Sequence, residues 1–170
     1  MRIFITGATG WVGSAVVKEM VSNGHEITGL ARSIDKAGAL AATGAEVLLG
    51  TLDDLETLRR AASTADAVIH TAFNHDFSRF AENAQQDRCA IEALGGALEG
   101  TEKPLVVTSG VALLAPGRVA TEADLPRPIR PTLVNRKRPP KLWQRAACVP
   151  RRSGWRHPSM VSAIMDSFRC

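Results

Sequence analysis

Gly7, Gly10 and Gly13 recur at three-residue spacing directly after a short apolar run, Arg2 to Thr6, and no other feature restricts the fold of this chain as tightly. A continuous apolar run suits a strand buried on both faces of a parallel sheet. A helical pattern follows at once, through Trp11, Val12, Ala15, Val16, Val17 and Met20. Strand, glycine turn and helix, in that order, is the context in which spaced glycines predict a dinucleotide site. The first glycine permits a tight turn, the second lets backbone approach a pyrophosphate, and the third lets helix pack closely on strand. The free N–H groups at the helix start and the positive end of its dipole then face the phosphates. The candidate cofactor-binding residues here are Gly7, Thr9, Gly10, Trp11, Val12 and Gly13.

The same alternation continues along the chain. Asn23-Gly24 makes a turn, and Glu26 to Ala31 reads as a second strand. Ser33 caps a helix over Asp35 to Ala42, which Thr43-Gly44 ends. Glu46 to Leu49 is a third strand, Leu52 to Ala62 an amphipathic helix, and Ala67 to Thr71 a fourth strand. A long helix lies within Phe77 to Leu98, striped by Phe80, Ala84, Ala90, Ile91 and Leu94, and Leu105 to Thr108 is a fifth strand. Alternating strands and helices predict an α/β fold, a doubly wound parallel Rossmann sheet of about five strands.

The stretch TGATGWVG resembles the short-chain dehydrogenase/reductase superfamily, within it the extended and atypical branch of epimerase/dehydratase-like proteins, and the resemblance runs from Met1 to about Pro126. It implies an NAD(P)-binding oxidoreductase-family domain, hydride transfer on a carbonyl or alcohol, and a nicotinamide dinucleotide and a small-molecule substrate as partners. Arg32 directly follows the second strand, with no acid before Asp35. In dinucleotide folds an acid near this point holds the ribose 2′-hydroxyl, whereas an arginine accommodates a 2′-phosphate, so NADP is expected over NAD. Gly50 to Asp54 resembles the family segment that covers the adenine, which brings in Leu52 and Asp53, although Thr51 stands where the family usually has Asp. Asp53 and Asp54 also suit a helix cap. In similar proteins the loop that carries Thr71, Ala72 and Phe73 lies against the ribose and nicotinamide. His70 reads as a core histidine, and His75 and Asp76 lie where substrate contact is conceivable. Ser109 is the best catalytic hydroxyl near the family's Ser/Thr position, and it equally suits a hydrogen bond that closes the strand end.

Two departures mark the chain. It has no tyrosine, so the Tyr-x-x-x-Lys pair that supplies the family's proton donor is missing, and catalysis is expected to be impaired. The composition also changes near Arg127. Residues 1–126 hold ten Lys/Arg and sixteen Asp/Glu, whereas residues 127–170 hold eleven Lys/Arg, the single acid Asp166 and six of the nine prolines. Residues 1–126 are therefore expected to form the Rossmann domain, and residues 127–170 an irregular basic tail. The tail reads as a frameshifted translation of a longer gene. Read two bases further on, Met160-Val161 and Met165-Asp166 must each give glycine, and both fall where the family has glycine after its sixth strand. The Rossmann sheet is on this reading truncated. A genuine basic tail with a nucleic-acid contact is the competing reading, though no aromatic interleaving supports it, and a non-enzymatic nucleotide-binding or sensor module is a further alternative. Cys89, Cys148 and Cys170 suggest neither a disulfide framework nor a metal site. With nothing like a signal peptide or membrane span, a cytoplasmic protein without membrane partners is expected.

Overall fold

Five parallel strands form one sheet in the order β3-β2-β1-β4-β5, where β1 is Arg2–Thr6, β2 Glu26–Ala31, β3 Glu46–Leu49, β4 Ala67–His70 and β5 Leu105–Val107. The structure is a computed structural model, and it describes residues 1–108 together with Gly117 and Val119. Four helices connect the strands: α1 (Trp11–Ser22), α2 (Ile34–Ala41), α3 (Leu55–Thr64) and α4 (Phe80–Ala97). A 3₁₀ turn, Phe77–Arg79, precedes α4. Parallel strands need crossovers, and right-handed crossovers put α1 and α2 on one face of the sheet and α3 and α4 on the other. The expected doubly wound α/β fold is therefore the one found. The basic segment 127–170, with its frameshift reading, lies outside the described residues.

Strand periodicity builds two cores. Phe4, Leu30 and Val68 join Leu58 and Ala62 of α3 and Ala90 and Leu94 of α4 in one cluster. Ile3 and Ile5, on the opposite face of β1, are also buried, as are Val16 and Val17 of α1. Burying a side chain such as Phe4, Leu58 or Leu94 contributes roughly 1.5–3 kcal/mol. The register pairs Arg2 with Glu26 and Thr6 with His70, so β1 lies between β2 and β4 along its length. Here the strand order reverses direction, because β1 continues to β2 on one side while β4 lies on the other. A crevice opens at such a switch point, beyond the carboxyl ends of the strands.

Helix starts follow local chemistry, with two departures from expectation. Helix α3 starts at Leu55 rather than Leu52, because the Asp54 carboxylate accepts the Thr57 N–H at 3.2 Å and caps the helix there. Leu52 instead packs into the core before that cap. Ser33 does stand at the cap position of α2, yet its side chain makes no capping bond.

The amino end of β1 is tied down by Asp66, which accepts the Arg2 N–H at 2.8 Å and the Arg2 guanidinium at 3.0 Å. The Arg2 backbone bond, then its side-chain bond, hold the Asp66 carboxyl below the ordinary carboxylate value. A depressed carboxyl stabilises the fold above its unfolded pKa, and that contribution fades as pH falls through the lower folded value. Asp66→Ala should therefore lower the Tm by a few degrees at pH 7. The gap from the parent should narrow as the pH falls below about 4; thermal melts between pH 7 and pH 3 measure it.

Candidate functional site

The carboxyl ends of β1 and β4 meet at the glycine turn. Gly7 leaves β1 with φ of 68°, a backbone conformation that favours glycine. Its carbonyl accepts the Gly10 N–H at 2.8 Å and so closes the turn. A Cβ at Gly7 would lie 2.6 Å from the backbone nitrogen of Ala72, and one at Gly13 would lie 2.0 Å from the Gly7 carbonyl oxygen. Neither position has room for a side chain. Gly10 differs: its backbone is extended, it is exposed, and a Cβ there would meet only the Gly7 oxygen, at 3.2 Å. The fold therefore excludes a side chain outright at Gly7 and Gly13, whereas at the exposed Gly10 a Cβ would press on the Gly7 oxygen alone and the turn would have to yield slightly.

Hydroxyls bind the strand ends together beneath this turn. The Thr6 carbonyl accepts both the Thr71 N–H at 3.2 Å and the Thr71 hydroxyl at 2.8 Å. The His70 carbonyl accepts the Thr108 N–H at 3.0 Å and its hydroxyl at 3.2 Å. His70 itself is 1% exposed, as expected of a core histidine. Its Nδ1 lies 2.7 Å from the Thr6 hydroxyl and its Nε2 lies 2.9 Å from Asp87 on α4. Both ring nitrogens have a polar partner within hydrogen-bond distance. A hydrogen-bonded chain, from half-buried Asp87 through buried His70 to buried Thr6, thus runs from α4 to the residue before Gly7.

The remaining expected residues divide. Thr9 is half-buried in the turn, while Trp11 and Val12 open α1, and Trp11 is 93% exposed. Thr71, Ala72 and Phe73 are half-buried at the end of β4, with Thr71 and Ala72 against the glycine turn. Arg32 is exposed just past β2, with no hydrogen bond or ion pair to another described residue. Its strand neighbours β1, at about 4.8 Å spacing. The Leu52 side chain belongs to the core. Both Asp53 oxygens accept from the Gln86 amide at 2.8 Å, which bridges the turn after β3 to α4. A polar cavity of about 300 Å³ lies there, lined by Asp53, Asn74, Arg79, Glu82, Asn83 and Gln86. Ser109 lies outside the described residues. Asp87, Gln86 and Asn83 were not foreseen. Their only sequence signal is a polar residue on a long helix, which is ordinarily a solvated face.

Residues 7–138 match the family model described as NAD(P)H-binding. The chain belongs to the NAD(P)H-binding family. That match continues past Pro126 into the basic segment. An uncharacterized protein of Schizosaccharomyces pombe is 47% identical over 130 residues, covering 75% of this chain and 44% of the relative. A ketoreductase of Stigmatella aurantiaca, named for 4-hydroxy-2-methyl-3-oxo-4-farnesyl-3,4-dihydroquinoline-1-oxide, is 31% identical over 133 residues, covering 76% of this chain and 39% of the relative. The NAD(P)H-binding chain thus spans less than half the length of either relative. Among solved structures, UDP-glucose 4-epimerase from Bifidobacterium longum, in complex with NAD+ and UDP, superposes with a TM-score of 0.61 at 15% identity, covering 75% of this chain and 43% of that one. This last likeness is one of fold. No described helix of the NAD(P)H-binding chain is long and apolar enough to cross a membrane.

The histidine chain gives a direct test of what holds the site's floor. His70→Leu keeps a similar volume but leaves the Thr6 hydroxyl and Asp87 without their partner. It should cost about 1–3 kcal/mol of stability, measured by urea denaturation, whereas Thr6→Ser should cost less because the hydroxyl remains.

Proposed function

We propose that the chain holds NADP for an oxidoreductase that moves a hydride between the nicotinamide and a carbonyl or alcohol carbon. The exposed backbone at Gly10 carries this reading. A Cβ is excluded by 2.6 Å and 2.0 Å contacts at Gly7 and Gly13 but meets only the Gly7 oxygen, at 3.2 Å, at Gly10, so the backbone there is open to a ligand that approaches it closely. The N–H groups of Trp11, Val12 and Gly13 at the start of α1 would hold the pyrophosphate, with Thr9 in the turn above them. Arg32 would take the 2′-phosphate, since it stands free beyond the strand that neighbours the glycine turn. The backbone at Leu52 and Asp53 would meet the adenine, and Thr71, Ala72 and Phe73 the ribose and nicotinamide. The bound nicotinamide would supply or accept the hydride.

The 170 residues hold no tyrosine, so the family's usual proton donor is not among them. Ser109 is the hydroxyl nearest that role in the sequence. General acid catalysis typically contributes 10²–10⁴-fold in rate, so slow turnover by this chain is part of the proposal. Residues 1–126 are taken as the cofactor-holding domain, and residues 127–170 as a segment translated out of frame. Resequencing the encoding DNA across codons 120–170 addresses that last point.

Two substitutions separate the parts of the cofactor reading. Gly10→Val should abolish NADPH binding while leaving the circular dichroism spectrum unchanged. Arg32→Ala should weaken NADPH by about one to two decades and NADH little, the worth of charge-assisted hydrogen bonds to a phosphate. Fluorescence titration with both cofactors measures this; equal losses would contradict the assignment of Arg32 to the 2′-phosphate.

A further inference from the structure

Three of the five phenylalanines of the chain fall within eight residues, Phe73-Asn-His-Asp-Phe-Ser-Arg-Phe80, on the loop from β4 to α4. Their rings form one cluster with His75. Phe73 meets His75 edge to face at 5.6 Å, His75 meets Phe77 in the same way at 6.0 Å, and Phe73 lies 6.2 Å from Phe80. These rings do not form the core, since none belongs to the buried cluster of α3 and α4, and Phe77 and Phe80 are 69% and 56% exposed.

Polar groups hold the loop instead. The Asn74 side chain accepts the Asp76 N–H at 3.3 Å. The Asp76 carboxylate accepts the Ser78 hydroxyl at 2.5 Å and its N–H at 3.1 Å, and the Asp76 carbonyl accepts the buried Asn83 amide at 2.7 Å. The rings are thus presented on a preformed frame that does not depend on their own packing.

The loop starts beside the crevice. The loop leaves the strand that borders the switch point, and Ala72, the residue before Phe73, packs its backbone against Gly7. A fully buried aromatic side chain covers roughly 150–250 Å², so Phe77 and Phe80, about half exposed, offer on the order of 200–300 Å². That suits the face of a two-ring molecule and falls well short of the roughly 800 Å² per partner of a stable protein interface. Neither His75 nitrogen has a hydrogen-bond partner among the described residues, so the cluster also offers one polar handle.

We propose that Phe73, His75, Phe77 and Phe80 form the substrate wall of the crevice, and that the substrate is a flat, apolar ring ketone or its alcohol, gripped by the rings and oriented by a hydrogen bond between His75 and its oxygen. This rests on the dinucleotide reading above for the reaction, but not for the binding.

The test uses the full 170-residue chain, with and without saturating NADPH, and two probes, 2-acetylnaphthalene and dihydroxyacetone. Calorimetry and saturation-transfer NMR read their binding. The naphthyl ketone should bind at least about tenfold tighter than dihydroxyacetone. Phe77→Ser and Phe80→Ser should each weaken it by about three- to tenfold, and Phe77→Trp should keep it. NADPH affinity should stay within about twofold in every variant, since these exposed residues touch neither the turn nor the core. Undiminished naphthyl ketone binding in the double variant, or equal affinity for dihydroxyacetone, would overturn the wall. So would concentration-dependent self-association that the double variant loses, because the patch would then belong to a second copy. Phenylalanine-dependent ketone binding without NADPH binding would keep the wall and refute the dinucleotide reading; NADPH binding with no ketone binding would do the reverse.

Discussion

The close contact between the glycine turn and the end of β4 is the constraint on which the rest of the site depends. Gly7 has no room for a Cβ because the backbone of Thr71 and Ala72 occupies that space, and Gly13 has none because α1 starts against the Gly7 carbonyl. Strand, turn, helix and neighbouring strand are thereby pressed into one unit. The first N–H groups of α1, which have no intrahelical partners, are left facing the crevice. Free N–H donors at a helix start are what remain once this packing is satisfied, and Gly10 is the glycine of the three that the packing crowds least.

Beneath the turn the strand ends are held by polar bonds as well as by burial. Thr6, Thr71 and Thr108 each join adjacent strands through a hydroxyl, and His70 spans from Thr6 to Asp87. Directional bonds at this level fix the strand ends more tightly than apolar packing alone, because a hydrogen bond weakens steeply once misaligned. The loop that carries the aromatic cluster starts from the same fixed floor, and its own Asx and capping bonds continue the rigidity outward. The elements proposed to hold cofactor and substrate thus share one support.

The amino-acid sequence made the sheet legible because its signals are local. Continuous apolar runs, glycine turns and helical stripes each declare themselves within a dozen residues, and all five strands lie where the runs predict them. The helix starts were less legible. Leu52 looks like the first apolar residue of a helical stripe, yet the Asp54 cap places it one turn too early, and its side chain serves the core instead. The long helix does lie within Phe77 to Leu98, but the Asp76 cap closes a separate 3₁₀ turn, Phe77–Arg79, before it. The polar partnerships were not legible at all. His70 with Asp87 and Asp53 with Gln86 join residues 17 and 33 positions apart, brought together only by tertiary packing. The family match adds what spacing could not, that the glycine turn belongs to an NAD(P)H-binding domain.

The central claim is that the dinucleotide sits on the backbone of the glycine turn and against the end of β4. Amide hydrogen exchange, followed by mass spectrometry with and without NADPH, tests it without any substitution. Cofactor should slow exchange in two separate segments, residues 7–13 and residues 71–73, while the outer turns of α1 and α3 change little. Protection that is absent from residues 7–13, or that gathers elsewhere on the described domain, would contradict the account.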